Sequence, residues 1–275
     1  MKELYITDLD GTLLTSDAEL SDLSSEIINS LIESGVQFSI ATARTHATVS
    51  EMLSKVKLNV PLVMMNGVII YDPTAEKVIS SAAIDRESAV KVVDIFKRHR
   101  KAPMLYYPDG NYINIYYSDL NNRFQQDYIH ERTETGIKQF HYLPEPEVMD
   151  NLVYIVTLDP KEELQEIYEE ICKLEGVNCM FYSDNYTGCY FLEVMSAKVN
   201  KGTGAKFVKD YLGAEKMIAF GDNLNDIPLF LASDEAYAVG NAHEKLKEIS
   251  SGVIGDNNSD AVPLFIEQRE KSKRS

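Results

Sequence analysis

Asp8 and Asp10 stand one residue apart at the end of a short apolar run, Tyr5-Ile6-Thr7-Asp8-Leu9-Asp10-Gly11-Thr12. If a strand continues through them, alternation points both carboxylates the same way. Two like charges held that close cost free energy unless a cation or a shared proton relieves them. On its own the segment fits two readings: a solvated Asp-Gly turn after an edge strand, or a carboxylate pair kept for a cation. A second acidic segment, Gly221-Asp222-Asn223-Leu224-Asn225-Asp226, adds two carboxylates and two amides. Thr42-Ala43-Arg44 supplies a hydroxyl and a guanidinium, and Lys201-Gly202-Thr203-Gly204 an ammonium at a helix start. Each has a structural reading as well. Thr42 could cap a helix, Asp222 and Asp226 could be turn and cap residues, and Lys201 could be a solvated lysine, although a cation there opposes the helix dipole.

The elements that must position these residues alternate. Strands are expected at Leu4–Thr7, Val36–Ala41 and Pro61–Met65, with helices at Leu20–Ser34 and about Thr45–Val56. From Lys201 the alternation returns: helix to Leu212, strand Met217–Phe220, helix Asn225–Leu231, strand Ala236–Val239, helix His243–Ile249, strand Val253–Ile254 and helix Ala261–Glu270. Such alternation implies βαβ units on a parallel sheet, whose ligands bind beyond the carboxyl ends of the strands. The acidic segments and Thr42 follow strands of this kind. The tail from Arg269 to Ser275 is polar and expected to fray.

The middle of the chain reads differently. A hairpin is expected around Asp72-Pro73, then a helix capped by Asp85, Tyr-rich strands at Met104–Tyr107 and Tyr112–Tyr117, and a polar helix near Leu120–His130. Strand Leu152–Thr157, a helix begun by Pro160, and strands Val177–Tyr182 and Cys189–Val194 complete an inserted α+β module. The expected domains are 1–81 and 189–275 for the parallel core and 82–188 for the insert. Tyr106, Tyr107, Tyr116 and Tyr117 either pack a small sheet or line a sugar or ring pocket.

The 275 residues carry a formal net charge of −16. That argues against nonspecific nucleic-acid binding and against an anionic membrane surface, but leaves room for a phosphate substrate beside local cations or a bound metal. No apolar stretch is long enough to span a bilayer, and Asp8 and Asp10 break any signal-peptide pattern. Cys172, Cys179 and Cys189 show no metal-ligand spacing and read as buried free thiols of a cytoplasmic protein. Lys201–Gly204 is not a dinucleotide fingerprint, and Asp8–Gly11 is not a calcium loop.

Taken together, four segments resemble the haloacid dehalogenase (HAD) superfamily, in the right order. Asp8–Thr12 (DLDGT) looks like its first motif, Thr42 its second, Lys201 its third and GDNLND its fourth. The long insert between Thr42 and Lys201 resembles the Cof-type subfamily with a type IIB cap. Asn66-Gly67, Phe191-Leu-Glu193 and Gly240-Asn241-Ala242 match as well, so the resemblance spans nearly the whole chain. Two positions depart: Ala43 and Ala261 stand where Cof-type enzymes commonly have Gly, and the Ala43 methyl would narrow the phosphate pocket.

The resemblance implies a Rossmann-like α/β core with an inserted α+β cap that reads the leaving group. It implies a Mg²⁺-dependent phosphatase acting on a small phosphorylated metabolite, a sugar phosphate or phosphorylated cofactor, with no obligate protein partner. Asp8 would be the nucleophile and Asp10 the acid/base. Mg²⁺ would sit on the carboxylates of Asp8 and Asp222 and the backbone carbonyl of Asp10. Thr42, Ala43, Arg44, Lys201 and Asn225 would bind substrate, and Asp226 would hold Lys201 or a metal-bound water. Dehalogenases of the superfamily lack the second Asp, so Asp10 favours a phosphatase, or alternatively a phosphomutase. A non-catalytic phosphometabolite-binding protein is the remaining alternative, and it would not need both Asp8 and Asp10.

Overall fold

In the computed structural model the described residues are 2–110, 112–119, 122–133, 138–145, 147–183 and 188–274. Contacts divide the chain into two compact units, Met1–Ser80 with Val199–Ser275, and Ser81–Lys198. In chain order the first unit opens with β1 (Glu3–Thr7), α1 (Asp22–Glu33), β2 (Gln37–Ile40), α2 (His46–Met52), β3 (Leu62–Met64), β4 (Ile69–Asp72) and β5 (Lys77–Ser81). The second unit holds α3 (Arg86–Arg98), β6 (Met104–Asp109), β7 (Tyr112–Tyr117), α4 (Arg123–Thr133), β8 (Lys138–Tyr142), β9 (Tyr154–Asp159), α5 (Lys161–Ile171), β10 (Val177–Ser183) and β11 (Tyr190–Ser196). The first unit resumes with α6 (Lys201–Leu212), β12 (Lys216–Gly221), α7 (Ile227–Ala232), β13 (Glu235–Ala238), α8 (Glu244–Glu248), β14 (Gly252–Val253) and α9 (Ala261–Arg274).

The first unit is built on a parallel sheet in the order β14-β13-β12-β1-β2. Its strands are short apolar runs, with Leu4, Ile6, Phe38, Ile40, Ile218 and Phe220 all fully buried, as strands covered on both faces must be. A bridge from Ala41 to Val63 joins the β3-β4-β5 ribbon, in which β3 and β4 run antiparallel, to its edge. Phe265 of α9 packs its ring on Phe220 and Tyr237, so the last helix covers one face.

The second unit is a six-stranded sheet in the order β10-β11-β9-β6-β7-β8, antiparallel except for the β7–β8 pair. One face packs on α3 and α5 through Val92, Phe96, Leu105, Ile155, Leu164, Ile167 and Leu192. The other meets α4, whose Tyr128 hydroxyl lies 2.8 Å from that of Tyr106. Tyr106 and Tyr107 are buried, and Tyr107 meets Tyr116 edge-on, so these tyrosines pack the sheet.

Several expectations change. The second boundary falls at Lys198/Val199 rather than at 189, because β11 pairs with both β9 and β10 and cannot leave their sheet. The strand Lys138–Tyr142 was not foreseen from the sequence. The helix expected from Leu120 begins at Arg123, and Leu120 itself lies outside the described residues. The tail does not fray at Arg269. α9 runs to Arg274, because Arg269 forks onto Glu235 at 2.6 and 3.0 Å and Lys273 pairs with Glu3 and Glu270. Of the three thiols only Cys189 is buried; Cys172 is exposed, at the C-terminal end of α5. Among the described residues no helix is long and apolar enough to cross a membrane.

Candidate active site

The register of the parallel sheet sets the first two carboxylates side by side. Thr7 pairs with Phe220, and the Asp8 N–H continues the ladder by donating to the Phe220 carbonyl at 3.0 Å. Asp222 follows one residue after Gly221 on the neighbouring strand. After Asp8 the chain makes one wide turn over Leu9–Leu13, closed by the Leu14 N–H on the Leu9 carbonyl at 2.9 Å. Gly11 has φ +76°, and a Cβ there would lie 2.6 Å from Asp222 Oδ2. Any larger residue would therefore push the Asp222 carboxylate away. Thr12 donates its hydroxyl to Asp222 Oδ1 at 2.8 Å, and Asn241 donates to the Gly11 carbonyl at 2.8 Å.

Lys201 comes from the first turn of α6, which is capped by a reciprocal Asn200–Thr203 pair. The lysine is not solvated: it is 1 % exposed, with Nζ 2.7 Å from Asp8 Oδ1 and 2.7 Å from Asp226 Oδ1. The adjoining Gly202 permits this approach, since a Cβ there would sit 2.1 Å from the Pro228 carbonyl at the start of α7. Asp226 is fully buried, and its other oxygen accepts the N–H groups of Asp222 and Asn223, each at 3.0 Å. Asp226 thus ties the turn after β12 to the lysine. Carboxylate oxygens of Asp8, Asp222 and Asp226 all lie within 4.8 Å of one another.

The electrostatics follow from burial. Burial first, then the Asp226 charge, push the Asp8 carboxyl well above its ordinary range, while Lys201 pulls it down. The same two causes raise Asp222 to about 6, against hydrogen bonding from Thr12. Burial would lower the Lys201 ammonium, but Asp226 and Asp8 outweigh it and raise its pKa.

Thr42 lies two residues beyond β2, and its N–H continues the sheet onto the Val63 carbonyl at 2.9 Å. It is fully buried, and its hydroxyl accepts the Arg44 N–H at 3.1 Å. Beneath it, Met65 and Asn66 adopt left-handed conformations (φ 50° and 55°). Their N–H groups donate to the carbonyls of Arg44 and Thr42 at 3.1 and 2.9 Å. Backbone strain of this kind, costing ~1–3 kcal/mol per residue, persists where surrounding structure enforces it. Ala43 is exposed between these anchors.

The structure separates the opening aspartates. Asp10 turns its carboxylate to Arg44, whose Nε and Nη2 meet its two oxygens at 2.7 and 2.6 Å in a partly exposed fork. Asp8, Asp222 and Lys201 come together as the sequence suggested; the Asp10 carboxylate stands apart from that cluster. Asn225 lies half-buried in the turn Leu224–Asp226. Thr12 and Asn241 were not singled out as site residues, although both fall inside segments that matched the family. A fork between Arg44 and Asp10, 34 positions apart, leaves no local trace in sequence.

Comparisons with known proteins bear on the family and the fold. A family model described as haloacid dehalogenase-like hydrolase matches residues 5–266. The chain is 27 % identical over 273 residues to a pyridoxal phosphate phosphatase of Escherichia coli, covering 94 % of this chain and 95 % of the other. It is 25 % identical over 282 residues to a 5-amino-6-(5-phospho-D-ribitylamino)uracil phosphatase of Bacillus subtilis, covering 95 % and 96 %. A haloacid dehalogenase-like hydrolase from Bacteroides thetaiotaomicron has the same fold, with a TM-score of 0.78 at 20 % identity over 98 % and 99 % of the two chains. The chain belongs to the haloacid dehalogenase-like hydrolase family.

Proposed function

We propose that the protein is a Mg²⁺-dependent phosphatase of a small phosphorylated metabolite, acting through a phosphoryl group carried on Asp8. One observation carries the reading. Three clustered carboxylates share a single buried ammonium. With all groups ionised, three negative charges less one positive leave two, the charge of one Mg²⁺. The donors are hard oxygens, the type Mg²⁺ prefers. Asp8 and Asp222 would hold the ion with the backbone carbonyl of Asp10; Asp226 already has both oxygens engaged by Lys201 and backbone amides. When bound, the ion would supply positive charge against the incoming phosphate.

The chain's own residues divide the remaining work. Asp8 presents a carboxylate oxygen to phosphorus as nucleophile. Lys201, held in place by Asp226, balances charge on the transferring group. Thr42 can donate its hydroxyl proton to phosphate while its oxygen keeps the Arg44 N–H. Asp10 protonates the leaving oxygen and then takes a proton from the water that cleaves the phosphorylated Asp8. Arg44, Ala43 and Asn225 line the approach. The second unit would select the leaving group. Relatives named for a pyridoxal phosphate and for a phosphoribitylamino-uracil support a metabolite-sized substrate.

Hydrolysis of an aryl phosphate tests this. Wild type with Mg²⁺ is expected to release phosphate, EDTA to stop it, and Asp8→Asn and Asp10→Asn each to lose about a thousandfold or more. Equal release by wild type and Asp8→Asn contradicts the nucleophile assignment. A sugar phosphate isomerised without free phosphate would point to a phosphomutase instead.

A further inference from the structure

Outside the candidate site, two thiols meet in the second unit. Cys172 caps the end of α5 and Cys179 lies in the edge strand β10, with their sulfurs 2.8 Å apart. That separation is shorter than a nonbonded contact between two sulfur atoms and within about 0.8 Å of a disulfide bond length. The surrounding packing holds the pair in place. One helical turn before Cys172, Tyr168 stacks on Phe181, two residues beyond Cys179, at 4.9 Å between ring centres. The same helix and strand are therefore joined twice, by an aromatic stack and by the thiol pair. Accessibility divides the two thiols: Cys172 is exposed and Cys179 half-buried. Burial pushes the Cys179 thiol pKa up, with the Cys172 hydrogen bond adding to it.

We propose that Cys172 and Cys179 form a reversible intramolecular disulfide when the protein meets hydrogen peroxide. The exposed Cys172 thiolate attacks the peroxide oxygen, breaking the O–O bond and releasing water, and becomes a sulfenic acid. The Cys179 sulfur then attacks the Cys172 sulfur and expels the second water. Two thiols lose two electrons and two protons in all, and the peroxide takes them up. Exposure suits Cys172 to the attacking role, and shielding suits Cys179 to the resolving one. The bond pins α5 to the sheet edge and is independent of the phosphatase reading.

The test uses the full chain treated with hydrogen peroxide and then read by intact mass and peptide mapping. The expected product is a monomer lighter by two hydrogen atoms, with the peptides of Cys172 and Cys179 linked. Dithiothreitol reverses it, and a Cys189→Ser control still forms it. Closing so short a loop is expected to raise Tm by about 5 °C, and neither Cys172→Ser nor Cys179→Ser shows the mass loss or the rise. Added oxygen atoms on Cys172, a disulfide-linked dimer, or an unchanged mass would each overturn the proposal.

Discussion

The strand β1 begins and ends in an ionic cluster, and the two clusters are built on opposite terms. At its start, Glu3, Glu235 and Glu270 meet Lys216, Arg269 and Lys273, three charges of each sign. These groups reach solvent, the lysines and arginine with 22–39 % of their side chains exposed. At its end, Asp8, Asp222 and Asp226 cluster about Lys201, which pairs with Asp8 and Asp226, and the lysine, Asp8 and Asp226 are buried. Protons report the difference. Hydrogen bonding from Arg269 holds Glu235 down at about 2, whereas burial lifts Asp222 to about 6. The first cluster anchors the last helix to the sheet. The second gathers more acidic groups than cations, and burial raises the pKa of Asp8 and Asp222, the pattern that marks a candidate functional site.

Substitutions that unbalance each cluster should separate the two roles. The largest effect is expected from Lys201→Met, which strands two buried carboxylates: a loss of about 3–5 kcal/mol in stability and of ~10²–10³ in turnover, read by denaturant unfolding and initial rates. If Lys201→Met costs no more than Lys216→Met at the balanced end, the contrast fails.

Asp222→Asn sharpens it through pH. A carboxyl whose folded pKa is raised binds its proton more tightly folded than unfolded, so its contribution to stability falls as pH rises from about 4 to about 6. Without Mg²⁺, Asp222→Asn is therefore expected to be more stable than wild type at pH 7, by about 2–3 kcal/mol, with the advantage vanishing toward pH 4. Added Mg²⁺ should reverse the order at pH 7. Glu235 carries the opposite sign. Its contribution is fully present above the usual carboxylate value and fades as pH falls toward 2.

Arg44→Ala probes the fork on Asp10. If the guanidinium orients Asp10 for proton transfer, turnover of an alkyl phosphate, with its basic leaving group, should drop about tenfold and an aryl phosphate much less. An equal loss on both would make Arg44 a phosphate ligand only. The smallest effect belongs to Glu235→Gln, expected to cost no more than about 1 kcal/mol and to leave turnover unchanged.

Much of the site was legible because its residues sit in short, ordered segments. Asp8, Thr42, Lys201 and Asp222 each follow a strand or open a helix whose limits the apolar period marks, and α6 spans Lys201–Leu212 as read from sequence. Pairings over long separations were not legible. Cys189–Val194 reads as a strand, but only the pairing of Tyr190–Ser196 with β9 and β10 assigns it to the insert. The polar tail reads as solvent-loving until Arg269 and Lys273 find Glu235 and Glu3 more than thirty and more than two hundred residues away. The two oxygens of Asp226 serve Lys201 and two backbone amides, a division that only the folded turn defines.

The proposed role of the unbalanced cluster is to carry a phosphoryl group on Asp8. Acid quenching during turnover with Mg²⁺, followed by peptide mapping, tests it most directly. The expected result is the added mass of one phosphoryl group on the peptide containing Asp8, more of it in Asp10→Asn, where the water-activating base is missing, and none in Asp8→Asn. Turnover with no phosphorylated peptide in either wild type or Asp10→Asn would contradict it.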